Sequence, residues 1–104
     1  MKIYVIYDSD GFIWERAYTS FESAVEVVKH YLTQKNLIAK RNGAYEIEED
    51  CPAKMEKEYT YKDEHGGVMV AHNELEKVST FIKSVTVWEK SFQIFYRILY
   101  RWYV

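Results

Sequence analysis

The chain has 104 residues, of which 48% are hydrophobic, 29% charged and 17% aromatic, with four Gly, one Pro and one Cys. That composition suits one compact domain over residues 1–104 and excludes a disordered tail, a collagen-like repeat or a low-complexity linker. A net charge of −2 excludes a generically basic nucleic-acid binder, and the lone Cys51 excludes an internal disulfide.

Residues 2–8, KIYVIYD, are apolar on both alternating faces, as a central strand covered on two sides would be. The stretch Asp8-Ser9-Asp10-Gly11 predicts a turn, and residues 12–18 a second strand. Thr19, with Glu22 three places on, predicts a capping box opening a helix over about 20–34. Phe21, Ala24, Val25, Val28, Tyr31 and Leu32 form its apolar stripe, and Phe21, Val25, Val28 and Leu32 are expected to cover a sheet face. Residues 37–49 predict a hairpin around Asn42-Gly43, followed by a loop over 51–55. Residues 56–62 predict a strand, and His65-Gly66-Gly67 a turn into another over 68–71. Asn73 and Glu76 form a second capping box, predicting a helix whose stripe is Leu75, Val78 and Ile82. A strand is expected over 85–89. Residues 92–104 fit both helical and strand periods, and their Phe, Ile, Tyr and Trp content favours a strand. The expected architecture is α+β: a single antiparallel sheet of about five to seven strands packed against two helices, in the order ββαβββαββ.

Charge is segregated along the chain. Residues 1–43 carry a net +1, residues 44–76 a net −7 and residues 77–104 a net +4. The acidic middle holds Glu46, Glu48, Glu49, Asp50, Glu56, Glu58, Asp63 and Glu64. Were 44–50 and 56–62 neighbouring strands, Glu46, Glu48, Glu56 and Glu58 would cover one sheet face with carboxylates. Such a face can imitate a phosphate row and occupy a basic groove on a partner, or it can be no more than a solvated surface. At the basic end, Tyr96, Arg97, Tyr100 and Arg101 interleave aromatic and cationic side chains. That pattern serves base stacking and phosphate contact, or equally a core strand with Arg outside.

Little here points to catalysis. There is no phosphate-binding glycine loop, nucleophile elbow or Cys/His ligand spacing. His65 and His72 lie near Asp63, Glu64 and Glu74 without matching a metal motif, and His30 reads as structural. Asp8 and Asp10 read as turn residues, and Cys51, beside Glu48, Glu49 and Asp50, as an unactivated thiol. No enzyme, cofactor or metal is therefore expected. The apolar runs are too short for a membrane span and the N-terminus lacks a signal-peptide core, so no membrane partner and a cytoplasmic location are expected.

The opening KIYVIYDSDGFIWERAYTSFESAVEVV, residues 2–28, resembles the start of small phage-encoded accessory proteins. It runs strand, acidic-Gly turn, strand, then a helix beginning Thr-Ser-Phe-Glu-Ser-Ala. The resemblance implies an accessory, anti-defence protein acting inside a bacterial host cell, and carries no catalytic residues. Together with the acidic middle it leads to one expectation: a non-enzymatic inhibitor, anti-CRISPR-like or otherwise anti-defence, occluding a bacterial defence or nucleic-acid-binding protein. The alternative is an RNA- or nucleotide-binding module, including a signalling-nucleotide sponge, built on the C-terminal Tyr/Arg strand. A homodimer is compatible with either.

Overall fold

Alternating apolar side chains along residues 2–8 and 78–86 create two long strands that bury residues on both faces, and the rest of the fold is arranged around them. In the computed structural model, which describes residues 1–43 and 51–87, the elements are β1 (Lys2–Asp8), β2 (Ile13–Tyr18), α1 (Phe21–Arg41), β3 (Ala53–Met55), β4 (Val68–Asn73) and β5 (Val78–Thr86). The strands form one antiparallel sheet in the order β2-β1-β5-β4-β3. β1 pairs with β5 along its whole length, from Lys2 opposite Thr86 to Asp8 opposite Thr80. The pairing runs on past both strands, where Met1 and Val87 exchange backbone hydrogen bonds of 2.8 and 3.1 Å.

α1 lies on one face of the sheet. Its Ala24, Val28 and Leu32 are buried against Ile6, Val70, Ala71 and Ile82, with Phe21 and Val25 packed beside them. This is the predicted apolar stripe, and each fully buried Val or Ile side chain contributes about 1.5–3 kcal/mol. Val70 and Ala71 both join this cluster because the register between β4 and β5 shifts between Met69 and Ala71. On the opposite face Ile3, Val5 and Val87 are buried together, with Ile13, Ala17 and Val85 against them.

Several expected elements differ. The helix is capped by Ser20 rather than Thr19: the Ser20 hydroxyl accepts from the Ser23 amide at 3.1 Å. The helix continues well past residue 34 because nothing between Gln34 and Arg41 breaks it, and Lys40 and Arg41 suit its C-terminal dipole. Asn42-Gly43, expected to turn a hairpin, instead ends this helix, with Gly43 at φ +77°. The expected second arm of that hairpin, residues 44–50, lies outside the described residues, as do 88–104. The loop over 51–55 contains β3, which Asn36 of α1 holds through the backbone of Ala53: its side chain donates to the Ala53 carbonyl at 2.8 Å and accepts from the Ala53 amide at 3.3 Å.

The second helix is absent from the described residues, and β5 stands where most of it was expected. Asn73 does accept from the amides of Leu75 and Glu76, both at 3.0 Å, as a cap would. The turn lasts only to Lys77, which takes φ +55°, and Val78 then enters the sheet. The run VSTFIKSVT is mostly β-branched and aromatic, and its alternation places Ile82 toward α1 and Phe81 away from it. The strand expected over 56–62 is likewise broken. Glu56 donates to the Val70 carbonyl, and Tyr61 and Lys62 meet β4 again at Met69 and Val68, but residues between them leave the sheet edge. In that excursion Tyr59 packs edge-on against Phe21 at 5.5 Å.

Candidate functional site

Toward the far end of β1 and β5, on the face away from α1, the sheet is floored by aromatic rings. Tyr7 and Phe81 are partners in the β1–β5 register and stack at 5.4 Å with 15° between their planes. Tyr61, returning to the edge of β4, leans over Phe81 at 6.3 Å. These rings, with Asp63, Glu64 and His65 at one end and Lys83 and Val5 further along, line an open groove of about 820 Å³.

The loop 63–67 is fixed by one carboxylate. Asp63 accepts from the amides of His65 at 3.1 Å and Gly67 at 2.8 Å, which closes a tight turn, and the Asp63 amide donates to the Gly67 carbonyl. The Tyr7 hydroxyl donates across both Asp63 oxygens, at 2.7 and 2.8 Å. Burial, reinforced by the Asp63 charge, pushes the Tyr7 phenol well above its ordinary value. Partial burial pushes the Asp63 carboxyl up, but the Tyr7 hydroxyl and the two amides outweigh it and hold it below the usual carboxylate range. Gly67 is required by closeness of approach: a Cβ there would overlap the Tyr7 hydroxyl and lie 2.6 Å from Cζ. Asp63 is thus already satisfied, whereas Glu64 projects into solvent, 3.5 Å from the His65 ring.

Asp8 lies at the end of β1, opposite Thr80. It accepts from the Thr80 hydroxyl at 2.7 Å and the Trp14 indole at 3.2 Å, and burial, opposed by those two bonds, raises its carboxyl pKa. It ties β1, β2 and β5 together, which goes beyond the turn role expected of it.

The four acidic residues of that set that lie among the described residues do not share one sheet face. Asp63 and Glu64 line the aromatic groove. Glu56 and Glu58 line a separate shallow hollow of about 530 Å³ beside Lys57, His72 and Glu74. Glu56 still bonds to β4 through its amide, but Glu58 lies on the irregular excursion beyond it, so the alternation that would have aligned them is absent. Glu46, Glu48, Glu49 and Asp50 lie outside the described residues, as do Tyr96, Arg97, Tyr100 and Arg101 of the alternative reading. Tyr7, Tyr61 and Phe81 were missed as groove residues. Their meeting depends on the pairing of β1 with β5, which no local pattern encodes.

Among the described residues no three His, Cys, Asp or Glu side chains stand together as a metal site, and no helix is long and apolar enough to cross a membrane. Cys51 is partly buried, its thiol 3.2 Å from the Ala53 carbonyl. Comparison of the chain with protein-family models, curated proteins and solved structures gave no match in any of the three.

Proposed function

We propose that this chain is a non-enzymatic binding protein of the phage anti-defence kind, which occludes a basic site on a bacterial defence or nucleic-acid-processing protein. The observation that carries the reading is the stretch from Glu56 to Glu64. It leaves the sheet edge and carries Glu56, Glu58 and Glu64 together with two tyrosines, Tyr59 and Tyr61, that are 41% and 57% exposed. Among the described residues no ion pair engages Glu56 or Glu58. Exposed tyrosines supply contact area at low entropic cost, and unpaired carboxylates steer a basic partner. The phage-type part of the reading rests on the resemblance of residues 2–28 alone.

The test is retention of partners from bacterial lysate on the immobilised chain at low and high salt, identified by mass spectrometry. A defence nuclease or other nucleic-acid-processing protein should be held at low salt and released at high salt, because exposed charges are screened beyond about 8–10 Å at physiological ionic strength. Replacing Glu46, Glu48, Glu56 and Glu58 with Gln should abolish its retention without unfolding the domain. Undiminished retention by that variant sinks the acidic-surface reading. Retained RNA or nucleotide without a stoichiometric protein would replace it by the nucleic-acid reading.

A further inference from the structure

We infer that the groove over Tyr7, Phe81 and Tyr61 receives one arginine side chain of the basic partner, its guanidinium stacked on Tyr61 and paired with Glu64. The inference rests on the acidic-surface reading and gives it a point of contact. The groove combines two features that separately would say little: an aromatic floor and a carboxylate rim. A ring face carries the negative lobe of its quadrupole, so it attracts a cation, and a planar guanidinium stacks on it better than an ammonium does.

The carboxylates are not equivalent. Asp63 is occupied by the Tyr7 hydroxyl and by the amides of His65 and Gly67. Asp8 is held by Thr80 and Trp14. Among the described residues Glu64 makes only the 3.5 Å contact to His65, and its side chain is 86% exposed. It is free to accept the two parallel N–H groups of a guanidinium. Tyr61, the most accessible of the three rings, lines the same groove.

Lys83 limits the occupancy. It pairs with Val5, two residues along β5 from Phe81, which sets it roughly 7 Å from the aromatic floor. A second cation would meet Lys83, so the groove selects a single arginine over a run of them. The same carboxylate rim disfavours a nucleotide: rings could stack a base, but its phosphate would face Glu64 and Asp63.

The probe is the blocked tripeptide acetyl-Gly-Arg-Gly-amide, titrated into the full chain while the aromatic ¹H–¹³C signals are followed by NMR. Acetyl-Gly-Lys-Gly-amide and AMP are the comparisons. Saturable shifts are expected on the Tyr61, Tyr7 and Phe81 rings with the arginine peptide, and binding about fivefold weaker or less with the lysine peptide, the ratio for a difference of about 1 kcal/mol. Glu64→Gln should weaken arginine-peptide binding about fivefold, and Tyr61→Leu should remove it. Both positions are exposed, and unchanged circular dichroism and Tm of the two variants verify the fold. No ring shifts with the arginine peptide, equal binding by the Glu64→Gln chain, or shifts with AMP instead each overturn the inference. If the peptide fails to bind while the four Gln replacements still release the lysate partner, the acidic-surface reading survives without this groove. If the peptide binds as expected and no salt-sensitive partner is found, the groove's preference stands and the wider reading falls.

Discussion

Burial raises the pKa of both the Asp8 carboxyl and the Tyr7 phenol, and each makes a measurable demand on stability. Asp8 is raised, so its favourable contribution is complete at acid pH and is lost as the pH climbs through its raised value. At neutral pH a partly buried charge persists there at a cost. Asp8→Asn keeps an oxygen for the Trp14 N–H and offers an amide that the Thr80 hydroxyl can accept. Its Tm at pH 7 should equal or exceed that of the parent chain, with the margin shrinking as the pH falls through the carboxylate range. Asp8→Ala should instead cost about 1–3 kcal/mol, because both donors are left without an acceptor. Thermal melts of the three chains between pH 3 and pH 7 decide the matter, and an Asn variant as weak as the Ala variant would refute the assignment. Tyr7 carries the second demand. Tyr7→Phe removes one charge-assisted bond and should cost about 1–2 kcal/mol at neutral pH. The raised phenol means that the unfolded chain ionises first: the advantage of Tyr7 is complete below the ordinary value of 10.0 and declines as the pH rises above it. Denaturant midpoints of the two chains should therefore converge above pH 10. A gap that stays constant there would show that the hydroxyl is not shielded as described.

At the scale of elements, β4 and β5 show where local pattern and outcome separate. Asn73 and Glu76 satisfy the rules for a helix start, and Asn73 does cap the next amides, yet only one turn forms. Lys77 then adopts a backbone conformation that favours glycine, and the chain reverses into β5. Lys77→Gly should relieve about 1–2 kcal/mol of strain against about 0.5–1 of extra unfolded freedom. A net gain of about 0.5–1 kcal/mol by chemical denaturation is expected, and a loss of stability would mean that the turn is not strained at Lys77. What was legible from sequence shares a cause: β1, β2 and α1 are local, with periodicity and caps falling inside one continuous segment. The Phe21, Val25, Val28 and Leu32 stripe needs no knowledge of what it packs on. β5 was obscured because Leu75, Val78 and Ile82 happen to fall at helical spacing, and only its place beside β1 rewards the strand. The groove was invisible for the same reason. Asp63 and Glu64 stood out by charge, but Tyr7 meets Phe81 only through the β1–β5 pairing, 74 positions apart, and Tyr61 meets Phe81 across 20 positions.

For the whole molecule, the consequence of that long-range pairing is a gradient of stability across the sheet. β5 is flanked on both sides by β1 and β4, and β1 by β2 and β5, whereas among the described residues β2 and β3 have one neighbour each. The central pair also carries fully buried side chains on both faces: Ile6 and Ile82 toward α1, Ile3 toward the opposite cluster. Opening it requires both clusters to separate, so its amides should exchange only through global unfolding. β3 has three residues and one sheet neighbour, and of these only Ala53 is buried in the α1-side cluster, with Met55 packed against it, so opening β3 loosens that cluster at its margin and leaves the β1–β5 pair intact. Native-state hydrogen exchange should therefore place Ile6 and Ile82 in the slowest class, with protection matching the stability from denaturant melts, while Lys54 and Met55 exchange at least about tenfold faster. The excursion around Tyr59 should exchange faster still. That order also bears on the proposed function: the segment that leaves the sheet edge could then adjust to a basic surface while β1 and β5 hold Tyr7 and Phe81 in register beneath Tyr61. Equal protection of β3 and the β1–β5 pair would mean that the edge is locked to the core, and an adaptable acidic edge above a fixed aromatic floor would then be untenable.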